Sequence, residues 1–329
     1  MDEKMREVVE QYDLHIKNVY RFRGAYMLET HLGLCILREF RGTNSKAQLA
    51  QIVKEKLEER GFTKVDTYIR NKEGEIVTEN IMGNRYVIKK WYIGEECNLK
   101  DSQNIKEAAG NLGVLHSHLR GIMEEPLVFQ GDTFPQMLYK HNRELRRVRS
   151  YIREKKQRNE FELLFLSMFS EFYQEAEEAE ALLEQLSCQE LYEDLEKQQI
   201  LCHGGYNYHN ILMTSQGIAT TSFEKVQLQL QVLDLYDFIR KIMEKNNWNE
   251  QLFQLALEGY EEKRELLPVE KQILYIALVY PEKFWKVTNF YYNRKKTWIS
   301  AKNIEKLQGL QQQKNIRRGV LKKIQSLCV

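Results

Sequence analysis

Proline is scarce, with 4 in 329 residues, and the 17 glycines are thinly spread. So few enforced turns exclude linker-rich and collagen-like architectures and leave regular elements to fill the length. No run of about 18 apolar residues occurs, so an ordinary helical membrane span is not expected. Nor does an apolar stretch follow Met1-Asp2-Glu3-Lys4, so no secretory signal is expected. The cysteines, Cys35, Cys97, Cys188, Cys202 and Cys328, are odd in number and form no CxxC pair. That pattern suits free thiols in a reducing compartment and implies neither a disulfide framework nor zinc. An excess of charge is missing too: 49 Lys+Arg stand against 47 Asp+Glu, a net +2, which gives no reason to expect nucleic acid or a membrane surface as partner. There is no internal repeat and no low-complexity tract.

What is present is a globular composition, 43% hydrophobic and 11% aromatic, on a chain long enough for one large core or two joined ones. Residues 1–94 read as a small antiparallel sheet plus a helix. Residues 25–30 and 34–40 are strand-like and separated by His31-Leu32-Gly33, a hairpin signal. Ser45 is placed to cap a helix carrying Leu49, Ile52, Val53 and Leu57, which Gly61 would end. Strands are expected over 65–69 and 85–92, with Lys72-Glu73-Gly74-Glu75 as a turn between them.

Past Ile93-Gly94-Glu95-Glu96 the texture changes, and residues 95–329 read as a mostly helical unit. Phe161, Leu164, Phe165, Met168, Phe169, Phe172, Ala176, Ala179 and Leu183 recur at steps of three and four, one buried stripe of a long helix. Further helices are expected over 104–119, 135–156, 235–244, 250–263 and 269–279, with a helix pair from 300 to 327. Only residues 200–226 interrupt the pattern, and an irregular segment on a rigid scaffold is where sites usually sit.

That segment contains Leu201-Cys202-His203-Gly204-Gly205-Tyr206-Asn207-Tyr208-His209-Asn210-Ile211-Leu212. It is similar to the HGDxxxxN catalytic loop of aminoglycoside phosphotransferase-like kinases, with Asn210 five positions after Gly205. Its Tyr206, Tyr208 and His209, together with residues 234–241 (DLYDFIRK), 85–95 (RYVIKKWYIGE) and 113–116 (GVLH), resemble more narrowly the CotS-type spore coat proteins, over roughly residues 20–290. The resemblance implies an α+β, two-lobed, protein kinase-like fold: an N-lobe over 1–94, and a helical C-lobe over 95–329 with a degenerate catalytic loop at 201–226.

Phosphoryl transfer needs a carboxylate to orient the acceptor hydroxyl, charged oxygens to hold magnesium, and a cation on the nucleotide phosphates. On the resemblance, the base position is Gly205, which has no side chain to accept a proton. The magnesium-binding acid falls at Ser222, and a neutral hydroxyl is a poor principal ligand for a hard cation. The strand lysine falls at Arg38, with Gln51 or Glu55 as its helix partner, and Arg21-Phe22-Arg23-Gly24-Ala25 is no glycine-rich phosphate loop. His203 and Asn210 are retained. Catalytic and metal-ligating residues are therefore expected to be absent, with Asn210 and Glu224 as ligands only in a rearranged site. Arg38, Trp91, Ile93 and Asn210 would line a vestigial nucleotide cleft.

Plainer structural roles stand beside these. His203 reads foremost as a buried histidine bonding loop backbone, and His209 as a packing or hydrogen-bonding residue. His116 and His118, two apart on a helix, do not chelate together. Asp234 and Asp237 suit caps or first-turn acids. The basic run Arg143, Arg146, Arg147, Arg149, Arg153, Lys155, Lys156 and Arg158 reads as a solvated face beside the acidic stretch 175–184. Residues 291–298 (YYNRKKTW) read as an amphipathic connector with its rings inward, or as a docking patch.

The expectation is a pseudokinase that is a structural or assembly component of the bacterial spore coat. The resemblance implies synthesis in the mother-cell cytoplasm, deposition in the coat and other coat proteins as partners; its 18 Tyr suit cross-linking. No cofactor is expected. The alternative is an active small-molecule phosphotransferase or nucleotide-binding regulator with a rearranged metal site, and only then are ATP and magnesium required.

Overall fold

The computed structural model describes residues 3–293 and 301–328. It begins with α1 (Glu3–Val9), β1 (Ile16–Phe22), β2 (Ala25–Thr30), β3 (Gly33–Glu39), α2 (Asn44–Glu59), β4 (Tyr68–Ile69), β5 (Thr78–Glu79) and β6 (Arg85–Lys90). The strands form one antiparallel sheet in the order β1-β2-β3-β6-β4, with β5 also on β6. Arg23 and Gly24, at φ +48° and +78°, make the two-residue turn between β1 and β2, the left-handed pair that matches strand twist. His31 and Leu32 turn the chain from β2 into β3.

Period-two alternation divides this sheet into two faces. Tyr26, Leu28, Cys35, Leu37, Tyr86 and Ile88 join Val8, Val9 and Tyr12 in one buried cluster. The opposite face carries Ala25, Met27 and Ile36, with Leu34 and Trp91 packed against them. Lys89 lies on this second face, in register with Ile36 on one side and Tyr68 on the other. Helix α2 is capped by Thr43, whose hydroxyl accepts from the Lys46 N–H at 3.3 Å, and not by Ser45. Its buried stripe is Ala47, Ala50, Val53, Lys54 and Leu57, an ammonium among apolar groups.

The chain continues through β7 (Glu95–Glu96), α3 (Ser102–His118), α4 (Phe134–Glu154), α5 (Glu160–Glu184), α6 (Cys188–Lys197) and β8 (Leu201–Cys202). After a 3-10 turn at Tyr208–Asn210 come β9 (Ile211–Thr214), β10 (Gly217–Thr220), β11 (Gln227–Leu228), α7 (Val232–Lys245), α8 (Glu250–Glu261), α9 (Pro268–Val279), α10 (Glu282–Asn293) and α11 (Ala301–Cys328). Packing groups the chain into two compact units. One comprises Met1–Leu127, Gln198–Phe238 and Ala256–Arg264; the other comprises Val128–Lys197, Ile239–Leu255 and Glu265–Val329. The N-terminal sheet, α3 and the whole of residues 201–226 thus belong to the first unit, a grouping drawn by compactness and not at residue 94.

In the second unit, α4 and α5 each begin with a reciprocal capping box, Thr133 with Gln136 and Asn159 with Glu162. Its core is aromatic: the Phe284 ring lies 4.8 Å from Phe172 and 5.4 Å from Phe165. Tyr291 is buried against Phe161 and donates to Glu162 at 2.7 Å. In the basic run, Arg149 sits over the Phe169 ring at 4.6 Å and Arg146 donates to the Tyr173 hydroxyl at 2.8 Å.

Several elements differ from the sequence-based expectation. The tail is one helix of 28 residues and not a pair. Gly309 and Gly319 sit where an added Cβ would meet nothing within 4 Å, and no proline interrupts, so neither glycine marks a break. The strand foreseen over 65–69 shortens to Tyr68–Ile69, with Val65 bridged singly to Thr220. Helices α1, α6 and α10 and strand β1 were not foreseen. Of residues 291–298, Arg294 through Trp298 lie outside the described residues. No helix among the described residues is long and apolar enough to cross a membrane.

Candidate functional site

The irregular segment is suspended between two small sheets. Strand β8, paired with β11, leads into His203-Gly204-Gly205, and β9 leaves it, paired with β10 and β7. Gly204 adopts φ +71°, and a Cβ there would run into the Lys225 carbonyl, so only glycine fits. Asp234, in the first turn of α7, fixes the segment. Its carboxylate accepts the His203 N–H at 2.6 Å and the Gly204 N–H at 2.9 Å, and lies 3.3 Å from His116 Nε2. The other nitrogen of His116 is 2.7 Å from the Tyr260 hydroxyl. Asp234 thus spends its oxygens on the loop and on His116.

His203 is fully buried. Its Nδ1 accepts from the Gly205 N–H at 3.2 Å, which leaves Nε2 to donate to the Thr221 carbonyl at 3.1 Å. Both ring nitrogens are spent on backbone, and burial lowers its pKa below the ordinary value, so the ring is neutral. His209 is half-exposed, with Nδ1 2.7 Å from Glu96 Oε2; Glu96 also pairs with Arg23 at the tip of the β1–β2 turn. His118 faces the Val114 carbonyl at 2.8 Å and shares nothing with His116.

Gly205 brings a carbonyl, not a carboxylate, to the middle of the loop. Two amides converge on that oxygen, Asn207 Nδ2 at 3.0 Å and Asn210 Nδ2 at 2.9 Å. The Asn210 carbonyl in turn accepts the Thr221 N–H at 2.9 Å. The five-residue spacing therefore closes a backbone ring through Asn210.

The strongest electrostatic feature lies beside this loop, where Glu224, the candidate ligand of a rearranged site, meets three residues that the sequence reading did not single out, Lys54, Asp66 and Lys89. Lys89 Nζ donates to Asp66 Oδ2 at 3.0 Å and, closer still, to Glu224 Oε1. Lys54 Nζ donates to the Asp66 carbonyl at 2.6 Å and lies 3.6 Å from Asp66 Oδ1, which makes no hydrogen bond. The Ser222 N–H donates to Asp66 Oδ2 at 2.9 Å, and the Tyr68 hydroxyl to Glu224 at 3.2 Å. The side chains of Lys54, Asp66 and Lys89 are 0% exposed, and that of Glu224 is 27% exposed. Two ammoniums and two carboxylates cancel. Buried charges persist only when matched in this way, because each alone costs several kcal/mol of lost hydration, on the order of 3–5 when a partner is removed.

Each member's proton affinity follows from this packing. Burial pulls Lys54 down to about 8, with Asp66 opposing the shift. Burial acts in the same direction on Lys89, but Asp66 and Glu224 outweigh it and its pKa is raised. Burial would raise Glu224, yet the attraction and hydrogen bond of Lys89 hold its carboxyl well below the ordinary value. The Tyr68 hydroxyl is raised by burial and then by the Glu224 and Asp66 charges.

The residues named from sequence are placed as follows. Arg38 is exposed on β3 and makes no ion pair among the described residues. Gln51 accepts the Tyr68 N–H at 2.7 Å and donates to Glu55 at 2.6 Å, so neither reaches Arg38. Instead α2 presents Lys54 inward. Trp91 lies against the Ala25, Met27 and Ile36 patch, whereas Ile93 is 84% exposed. Ser222 adopts φ +70°, a left-handed conformation that costs a non-glycine residue about 1 kcal/mol or more. Among the described residues no three His, Cys, Asp or Glu side chains converge as a metal site.

A kinase-like fold implies a nucleotide and magnesium. The groups near the loop do not fit the metal: Ser222 is neutral, Asn210 offers only a neutral amide oxygen, and Glu224 already holds an ammonium.

This architecture is similar to known phosphotransferase structures. The crystal structure of an aminoglycoside phosphotransferase from Alicyclobacillus acidocaldarius subsp. acidocaldarius DSM 446 superposes with a TM-score of 0.85 at 19% identity, covering 98% of this chain and 96% of that one. The AMP-bound spectinomycin phosphotransferase APH(9)-Ia gives 0.66 at 15% identity, covering 92% of each. A choline kinase from Cryptosporidium parvum Iowa II gives 0.55 at 14%, covering 97% and 94%. At these identities the likeness shows the fold, which is kinase-like and α+β. The family described as spore coat putative kinase YutH matches residues 5–324, so the chain belongs to that spore coat, kinase-like family.

Proposed function

We propose that this chain is a structural or assembly component of the bacterial spore coat, a pseudokinase that keeps the kinase architecture without phosphoryl transfer. Its partners on this reading are other coat proteins, and it is made in the mother cell and deposited on the forespore. The family assignment supports the coat. The observation that carries the loss of transfer is the state of Glu224: the acid two residues along from Ser222 is neutralised by Lys89 and bonded by Tyr68. Gly205, with no side chain, supports it, because nothing at that position can deprotonate an acceptor hydroxyl. The cleft then needs neither ATP nor magnesium.

One observation favours a second reading, an active small-molecule phosphotransferase or nucleotide-binding regulator with a rearranged metal site. Asp66 stands beside Glu224, with both carboxylates bonded to Lys89, and supplies a second acid that the sequence motifs do not reveal. Thermal unfolding of the full chain with ATP, with and without magnesium, separates the two. The coat reading expects no magnesium-dependent rise in Tm; a rise of several degrees supports the second reading.

A further inference from the structure

The disagreement between this site and a magnesium ion has a specific form. Two carboxylates from distant parts of the chain, Asp66 and Glu224, do converge as they would on a cation. The cation between them is the Lys89 ammonium, delivered by β6 from the floor of the sheet. Its surroundings are built for charge. Asp66 is fully buried, takes the Ser222 N–H on the oxygen that Lys89 also holds, and has its other oxygen without a hydrogen bond. Glu224 keeps about a quarter of its side chain open to solvent.

We propose that Lys89 is a tethered internal cation standing in for a divalent ion, so that the Asp66–Glu224 pair is a latent divalent-metal site which the chain fills with its own side chain. Three physical points support this. Asp66 Oδ2 lies 3.0 Å from Nζ and Glu224 Oε1 lies closer, so both oxygens already face one point. A hard divalent ion binds carboxylate oxygen at roughly 2.0–2.6 Å, a contraction that small side-chain shifts allow. And an ammonium on its own chain does not dissociate, so the loop next to Ser222 keeps its shape whatever the supply of metal.

Lys54 shapes the latent site as well. Its ammonium, 3.6 Å from Asp66, opposes any added positive charge and so weakens the site for a divalent ion. In the native protein the two acids are balanced by the two lysines without any ion.

The inference rests on the reading that the native cleft uses no metal, and its test needs no nucleotide. Manganese(II) binding is followed by electron paramagnetic resonance on the native chain, Lys89→Met, Lys89→Arg and Lys89→Met/Glu224→Gln. Expected are no bound ion for the native chain and Lys89→Arg, one for Lys89→Met, competed by magnesium, and none for the double variant. Should Lys89→Met fold only marginally, the prediction is read in its Tm, which manganese(II) raises by several degrees while leaving the native chain unmoved. A Lys89→Met protein indifferent to manganese(II) in both measurements overturns the proposal. So does a native chain that binds one ion lost on Glu224→Gln. Turnover of ATP by the native chain would sink the proposed function, whereas a metal-blind Lys89→Met would sink only this inference.

Discussion

Lys89, on the last strand of the N-terminal sheet, donates its ammonium to Glu224, 135 residues further along the chain. That bond joins the sheet to the end of the irregular segment, and with Asp66 and Lys54 it makes a matched set of four charges, three of them fully buried and Glu224 27% exposed. The loop itself is held from the other side by Asp234. The segment is therefore held by carboxylates on two sides, Asp234 at its start and the Asp66–Glu224 pair at its end.

Asp234→Ala tests the anchor on the loop. It removes the acceptor of the His203 and Gly204 N–H groups and the carboxylate beside His116 Nε2 in the interior. Each such loss costs about 1–3 kcal/mol, so unfolding in urea should show a loss of about 3 kcal/mol or more. Asp234→Asn, which keeps one acceptor oxygen, should lose less. Equal stability of Asp234→Ala and the native protein would contradict the anchoring role.

Lys54 sets the alkaline behaviour. Its pKa is about 8 when folded, against 10.5 ordinarily. Between those values the unfolded chain binds more protons than the folded one, so this group's contribution to stability rises with pH across that window. Lys89 acts in the opposite sense, but only above its ordinary value of 10.5, because its pKa is raised. Native protein compared with Lys54→Met should therefore gain relative stability on the order of 1–3 kcal/mol between pH 7.5 and 10. Parallel pH curves for the two proteins would show that Lys54 is not titrating in the fold.

Glu224 sets part of the acid behaviour. Its folded pKa is depressed below 4.5, so its contribution is fully present above that value and is lost as the pH falls toward the folded pKa. Glu224→Gln keeps the shape but leaves two lysines facing one carboxylate, a cost of about 2–4 kcal/mol at pH 7. The variant should lose less than the native protein on going from pH 5 to pH 3, measured by urea unfolding at each pH. An acid limb unchanged by the substitution would contradict the pairing with Lys89.

Much of the fold was legible because its signals are periodic. The stripe from Phe161 to Leu183 is a buried helix face, and the left-handed turn at Gly204 stands inside a recognisable loop. The tail is one helix where a pair was expected, and Gly309 and Gly319 within it sit where an added side chain would meet nothing, so neither marks a break.

The charged cluster was harder to see, for a physical reason: a lysine in sequence carries no mark of burial. One clue was present. Lys54 falls in step with Ala47, Ala50 and Leu57, on the buried stripe of its helix. Lys89 was hidden by its neighbour Lys90, since either could have been the inward member of the strand. Asp66 falls in the expected strand over 65–69, but only Tyr68–Ile69 is strand, so the irregular backbone before it and not strand alternation sets where Asp66 points. Their partnership is tertiary, and only the folded chain brings the four together.

The most direct test of the central claim is ATP turnover under single-turnover conditions, with the full chain in excess over labelled ATP and magnesium present. The account predicts ADP formation no faster than in a protein-free control. Magnesium-dependent ADP formation that disappears in both Asp66→Asn and Glu224→Gln would contradict it.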